Sequence, residues 1–387
     1  CSWACFSYRS DGKASGESLK KISPNFPKKT LDSKENINVK DWCDMAQSWV
    51  PSESWTRICA IDAHTEGEPL RVVLSGFSDL EGGTVLERRR WAYEHRDELR
   101  RALMWEPRGH ADMYGCIVMP PQSSLADLSV LFMHNSGFST MCGHGIIGVT
   151  TVLVECGLVP ILGSVVELGI DTPAGFVCAR ADVDSTGSVS RVRFENVTSY
   201  TERLDAKVDV AGVGTVQYDL AFGGAYYAYV DASAYDLTLV PEEGNRLIEL
   251  GRRIKNAVQE ADPPCHTEDD DLSFVYGTIF VGDAHSAENH SRNVCVFADG
   301  EVDRCPTGTG VSGRLAIHKA RGELDVGEEI RIESILGTCF DGTILEEVDT
   351  EGRSAIIPEV AGRAWVTGRH EFLISPEDPL RGGFLIR

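Results

Sequence analysis

One motif occurs twice in this sequence, and the duplication constrains the fold more than any other feature. Cys142-Gly143-His144-Gly145 opens a helical pattern over 143–156, and Thr307-Gly308-Thr309-Gly310 opens another over 308–320. The same offset brings Gly148 onto Gly313 and Gly157 onto Gly322. Glycine inside a helix is unfavourable by roughly 1 kcal/mol relative to alanine, so matching interior glycines imply that both helices are packed closely there. Gly157 and Gly322 suit the left-handed residue that ends a helix. The chain reads as two halves of one design, each presenting a helix N-terminus.

Around these helices the texture is that of strands. Short apolar runs such as Leu70-Arg71-Val72-Val73-Leu74, Ser129-Val130-Leu131-Phe132-Met133 and Tyr226-Tyr227-Ala228-Tyr229-Val230 are broken by Gly, Pro and Asp. A further helical pattern covers 244–259. The expectation is an α+β fold, rich in strands, and 387 residues suggest two domains. Residues 1–50 differ: they are polar, Lys-rich and without apolar periodicity, and a leader over 1–54 is expected to be disordered.

The formal net charge of −22 argues against an electrostatic grip on nucleic acid or an anionic membrane. No run of eighteen apolar residues appears, so no membrane-spanning segment is expected. Twelve cysteines are scattered without a CxxC pair. Disulfide frameworks belong to short, Cys-dense secreted chains, so the thiols read as reduced and the compartment as cytoplasmic. Arg88-Arg89-Arg90 reads as a charged face or helix end, and the acidic run over 268–271 as a solvated loop.

A helix N-terminus leaves backbone N–H groups unpaired and carries about half a positive charge. Two of them facing one cleft would hold a carboxylate. The same field lowers the pKa of a thiol from roughly 8.5 toward neutrality, and Cys142 stands at such a position, with His144 nearby as a polar contact. A thiolate beside a fixed carboxylate suits removal of the weakly acidic α-proton of an amino or imino acid, without metal or cofactor.

At these residues the sequence resembles the proline racemase family, from about Ile58 onward. The resemblance rests on Asp62-Ala63-His64-Thr65-Glu66-Gly67-Glu68-Pro69, on Glu106-Pro107-Arg108-Gly109-His110-Ala111-Asp112-Met113-Tyr114-Gly115, and on Ser139-Thr140-Met141-Cys142-Gly143-His144-Gly145. It continues in Asp171-Thr172-Pro173-Ala174-Gly175, Phe222-Gly223-Gly224 and Asp303-Arg304-Cys305-Pro306-Thr307-Gly308-Thr309-Gly310. It implies a fold like that of diaminopimelate epimerase: two pseudo-symmetric domains, each wrapping strands around a central helix, with the active site in the cleft between them. The domains would cover 55–188 with 353–387, and 189–352, the last strands returning to the first. The resemblance makes Cys142 the catalytic base. Gly143, His144, Gly308 and Thr309 would bind the substrate carboxylate and its surroundings, and Asp303 the substrate ammonium. It also implies a homodimer and a small imino acid as substrate.

A racemase of this family needs a second cysteine after the proline of the Asp-Arg-x-Pro motif. Here Thr307 stands there, and Cys305 lies on the other side of Pro306. A threonine hydroxyl is too weak an acid and base at neutral pH to take a thiol's turn. The carbanion then needs another exit, such as a leaving group on the adjacent carbon. In trans-3-hydroxy-L-proline the 3-hydroxyl shares a face with the Cα hydrogen, so one thiol suffices for dehydration to Δ1-pyrroline-2-carboxylate. The alternatives are a proline racemase or hydroxyproline 2-epimerase in which Cys305 or a water replaces the second cysteine, and a non-catalytic imino-acid-binding protein.

Overall fold

The computed structural model describes residues 42–77, 80–267, 269–350 and 352–386. Most of the expected leader, residues 1–41, lies outside them. A short helix, Trp42–Ser48, belongs to the first of two compact units, and everything below concerns the second, residues 52–387.

Seventeen strands form one continuous hydrogen-bonded sheet, and their order repeats. In the first half Thr56–Thr65 pairs with Glu68–Ser75, which runs parallel to Tyr114–Met119; that strand turns back on Leu128–His134. After the helix Gly143–Glu155 comes Val165–Thr172, parallel to Leu128–His134, then Gly175–Val183 and Val189–Glu195. In the second half Gly214–Phe222 pairs with Tyr226–Asp231, which runs parallel to Val275–Gly282; that strand turns back on Ser291–Phe297. After the helix Gly308–Arg321 comes Glu329–Glu333, parallel to Ser291–Phe297, then Cys339–Thr350 and Arg353–Gly362. Each half is completed by one more strand. Tyr200–Val210 flanks Gly214–Phe222, and the equivalent place beside Thr56–Thr65 is taken by Ala364–Ile374 from the far end of the chain. Of the strands expected to return to the first half, the last, Ala364–Ile374, does so, while Arg353–Gly362 stays beside Cys339–Thr350. The halves join where Arg353–Gly362 pairs with Val189–Glu195.

Parallel neighbours need a crossover connection. In the second half the helix Gly244–Ala261 supplies it, as its apolar period predicts. In the first half two helices do so, Val85–His95 and Asp97–Met104. The first starts with a capping box between Thr84 and Glu87 and buries only Val85, Leu86 and Ala92, too few apolar contacts to mark it in the sequence. Arg88, Arg89 and Arg90 lie on it. Arg90 is bonded to Asp269 at 2.8 Å and Asp271 at 2.5 Å, so these two acids of the supposed solvated loop are tied down across the two halves.

The central helices are buried, 143–154 along nearly the whole first one and 308–317 along the second. Their interior glycines do permit close packing: a Cβ on Gly148 would lie 2.6 Å from Leu70 Cδ2, and one on Gly313 2.2 Å from Tyr229 Oη. Gly157 and Gly322 have φ of +67° and +71°, the conformation expected at the helix ends. No disulfide joins the described cysteines, and no described helix is long and apolar enough to cross a membrane.

A buried ion pair links two strands of the second half. Glu333 Oε2 accepts from Arg292 Nη2 at 2.6 Å, and its carboxylate also accepts from the N–H groups of His285 and Ser286. Burial pushes its pKa up, but the bonds from Asn289, His285, Ser286 and Arg292 outweigh that and hold it at about 2. A depressed carboxylate contributes stability above its unfolded value near 4.5, lost as pH falls toward 2. Acid titration of the melting temperature is expected to show this loss, on the order of 3 kcal/mol. Glu333→Gln should flatten the pH 4.5 to 2 limb; an unchanged limb would refute the assignment.

Candidate active site

The two repeated helices meet at their first residues. A Cβ on Gly143 would lie 2.6 Å from Gly308 Cα, and one on Gly308 would lie 2.7 Å from Gly143 Cα. Only glycine at both positions lets the backbones approach this closely. Both N-termini consequently open into one cavity. Cys142, Gly143, His144, Asp303, Thr307, Gly308 and Thr309 all line it, joined by Tyr114, Met141, Tyr227, Tyr276 and Phe297. The space in it for water-sized molecules is about 20 Å³, on the scale of a single water.

Cys142 is the N-cap of the helix Gly143–Glu155, with φ −150° and ψ 110°. Its Sγ accepts the Gly145 N–H at 3.2 Å and lies 3.1 Å from His144 Nδ1. The Tyr114 hydroxyl also bonds to it. The sequence argument expects a thiol shifted toward neutrality, and the structure corrects this. Withdrawal from water pushes the Cys142 thiol well above its ordinary range; the Gly145 N–H and the Tyr114 hydroxyl pull it down, and the Asp303 and Glu68 carboxylates push it up again. Desolvation disfavours the charged form, and at a residue only 5 % exposed it outweighs the helix end.

His144 is pulled down to about 4, chiefly by burial, and is therefore neutral near pH 7. Its ring is hydrogen-bonded to the Pro69 backbone, and its carbonyl accepts the Thr65 hydroxyl at 2.8 Å. Both anchors belong to the hairpin of the first half.

Thr307 holds the corresponding N-cap position of the second helix, at φ +67°, a strained place for a β-branched residue. Its hydroxyl donates to Asp303 Oδ2 at 2.7 Å, while Asp303 Oδ1 accepts the Cys305 N–H at 2.8 Å. The carboxylate is fixed from both sides. Cys305 is fully buried, outside the cavity lining, and its Sγ accepts the Thr307 N–H at 3.4 Å. Among the described residues, the cavity lining therefore carries the Thr307 hydroxyl and one thiol, that of Cys142. Thr309 Oγ1 is bonded to the Tyr227 hydroxyl at 2.8 Å.

Three residues of the site carry no role in the sequence reading. Tyr114 bonds to Ser139 Oγ at 2.5 Å and meets His144 edge-on at 4.7 Å. Glu68 is wholly buried, with Oε2 accepting the Arg304 N–H at 2.7 Å, and thereby ties the first half to the loop bearing Asp303. Burial, then the neighbouring Asp303 charge, pushes its carboxyl up. Both residues sit inside motifs quoted above, which was the available signal. Tyr276 has none: it is one aromatic in an apolar strand. His144, Asp303 and Cys305 form the one cluster of three potential metal donors among the described residues, their atoms within 4.8 Å of one another. The contacts above already occupy each of them.

Two matched halves that meet at their helix starts, with a thiol on one side of the seam and a carboxylate on the other, define an epimerase-like architecture. The chain belongs to the proline racemase family, whose model, described as proline racemase, matches residues 60–385. It is 46% identical over 344 residues to a protein of Colwellia psychrerythraea named trans-3-hydroxy-L-proline dehydratase, covering 88% of this chain and 97% of that one. It is 43% identical over 330 residues to a protein of Burkholderia multivorans named 3-hydroxyproline 2-epimerase, covering 85% and 98%. The crystal structure of a hydroxyproline epimerase from Agrobacterium vitis with bound trans-4-hydroxy-L-proline superposes with a TM-score of 0.81 at 31% identity, covering 86% of this chain and 96% of that one. The two pseudo-symmetric halves expected from the sequence are thus the architecture of its family.

Proposed function

We propose that this chain dehydrates trans-3-hydroxy-L-proline to Δ1-pyrroline-2-carboxylate without cofactor or metal. The observation that carries the reading is Thr307, which holds at the second helix start the place that Cys142 holds at the first, and whose hydroxyl is committed to Asp303. A racemase needs an acid there that can reprotonate Cα, and this hydroxyl is neither acidic enough nor free.

In this reading the first-turn N–H groups of the two helices, at Gly143, His144, Gly308 and Thr309, hold the substrate carboxylate. Asp303 accepts from the ring ammonium. That cation offsets the Asp303 charge which otherwise raises the Cys142 thiol, so substrate binding favours the thiolate. The Cys142 thiolate removes the Cα proton. The electron pair forms the Cα–C3 double bond, the C3–O bond breaks, and the oxygen leaves as water with the proton that the Cys142 thiol hands on, which restores the thiolate. The resulting enamine tautomerises to the cyclic imine. The two units 55–188 with 353–387 and 189–352 close on the substrate; their boundaries fall at Val189–Glu195 and Arg353–Gly362, the paired strands through which the halves of the repeat join. The enzyme works as a homodimer in the cytoplasm, with its thiols reduced.

The test is incubation of the protein in D2O with trans-3-hydroxy-L-proline, L-proline and trans-4-hydroxy-L-proline, read by NMR. The 3-hydroxy substrate is expected to be converted to pyrroline-2-carboxylate, with no Cα inversion of the other two. Inversion at Cα in any of them would overturn the dehydratase reading in favour of an epimerase.

A further inference from the structure

The hairpin that opens the first half grips both helix starts. Its strands Thr56–Thr65 and Glu68–Ser75 are joined by Glu66 and Gly67, at φ of +48° and +101°, a tight two-residue turn of the kind that fixes hairpin register. On one side the Thr65 hydroxyl donates to the His144 carbonyl at 2.8 Å, in the first turn of the helix that Cys142 caps. On the other, Glu68, which faces Thr65 across the hairpin, accepts the Arg304 N–H with Oε2 at 2.7 Å. The turn itself is seated on the second half, where the Thr338 hydroxyl donates to the Glu66 carbonyl at 2.7 Å. The guanidinium of Arg304 is held by Asp112 of the first half at 3.3 Å.

The amide that Glu68 holds is the one that joins Asp303 to Arg304. A peptide unit is planar and rigid, so fixing this N–H fixes the Cα from which the Asp303 side chain springs. Glu68 does not line the cavity. It is wholly buried, Oε1 has no hydrogen-bond partner, and its one side-chain hydrogen bond among the described residues is to this amide. A buried carboxyl is costly to keep, and here that single bond is what it supplies.

We propose that Glu68 is the positioning residue of the ammonium site, setting with its hairpin the distance between the helix start at His144 and the Asp303 carboxylate. This deepens the reading above: it rests on Asp303 as the acceptor of the ring ammonium and not on the dehydration step. The carboxylate and ring nitrogen of an imino acid are both attached to Cα, so their spacing is fixed. The groups that bind them must match it, and a misplacement of about 1 Å is felt strongly. Burial and the Asp303 charge push the Glu68 carboxyl up, so glutamine, which keeps an oxygen for the Arg304 N–H, is a close substitute.

The test compares Glu68→Leu with Glu68→Gln. The readouts are the Kd of L-proline, which carries the ring ammonium, and of pyrrole-2-carboxylate, a planar analogue whose ring nitrogen is uncharged. In Glu68→Leu the L-proline Kd is expected to rise by about 10- to 100-fold and that of the analogue by only about 2- to 10-fold, because a bond to a charged group is the stronger one. Glu68→Gln should keep both within about fivefold of the wild type. Thermal melting establishes that each variant is folded; if Glu68→Leu is not, Glu68→Asp, which withdraws the oxygen by one methylene, should show the same preferential loss of L-proline. Wild-type affinity for L-proline in the leucine variant overturns the proposal. So does an equal loss of both ligands, which would mean that Glu68 only supports the cavity, and so does a glutamine variant as impaired as the leucine one. A wild type that binds the analogue and not L-proline would remove Asp303 as the ammonium acceptor, and this inference with it. A wild type that binds both but does not dehydrate trans-3-hydroxy-L-proline would sink the dehydratase reading alone, since the role of Glu68 is read from binding.

Discussion

Replacing Cys142 with serine is expected to lower turnover of trans-3-hydroxy-L-proline by about a thousandfold or more, while the protein stays folded and still binds pyrrole-2-carboxylate. The size follows from the chemistry. General-base catalysis by a positioned group contributes about 10²- to 10⁴-fold, and a serine hydroxyl with no base of its own is far more basic to generate than a thiolate. His144, next to this position, is a poor base to activate a serine there, because burial lowers its ring to about 4. The fold survives because the smaller oxygen can still accept the Gly145 N–H that Sγ accepts now. The pH profile supplies a second check. The base is the deprotonated form of a thiol raised by burial, so wild-type kcat/KM should climb with pH on the alkaline side, and the serine variant should lose that limb. Serine turnover within about tenfold of wild type would remove Cys142 as the base.

The second large effect is expected from Gly308→Ala. The added Cβ meets Gly143 Cα at 2.7 Å and Gly143 C at 3.2 Å, and both are backbone atoms that cannot rotate away. The helix starts must separate, carrying Cys142 on one and Thr307 on the other. Overpacking of this kind destabilises by about 1–3 kcal/mol. Displacing reacting groups by about 1 Å costs on the order of 10²-fold in rate, so kcat/KM should fall by about that much, well beyond what the small loss of stability explains. The check is kinetics beside thermal melting. A variant that melts lower but turns over normally would show that contact between the two helix starts is not needed for chemistry.

Much of the site was legible in the sequence because its defining features are local. A residue before a Gly-rich helix start, a glycine after a helix end and a proline before Thr307 leave their marks within a few positions. Those marks place Cys142, Gly143, His144, Thr307, Gly308 and Thr309 at two matched helix starts; Asp303, and the binding roles of the others, come only from the resemblance to the proline racemase family. The helix Val85–His95 escaped because it buries only Val85, Leu86 and Ala92 and carries many charges, so its apolar period is weak. Asp97–Met104 buries Arg100, Ala102, Leu103 and Met104 but is only about two turns long, too short for a period to stand out.

The sequence by itself determined the duplicated design, the thiol at one helix start and the hydroxyl at the other, because repeated glycines and caps are decided by neighbouring residues. Tertiary structure alone decided three things. It set the sign of the Cys142 shift, since burial depends on every wall of the cavity while the helix field depends on one. It brought Glu68 under the loop that carries Asp303. It packed Tyr276, one aromatic among the apolar residues of Val275–Gly282, against Phe297, His134 and Tyr227 in the cavity wall. Each of these depends on which distant segments meet, and long-range contact leaves no local pattern to read.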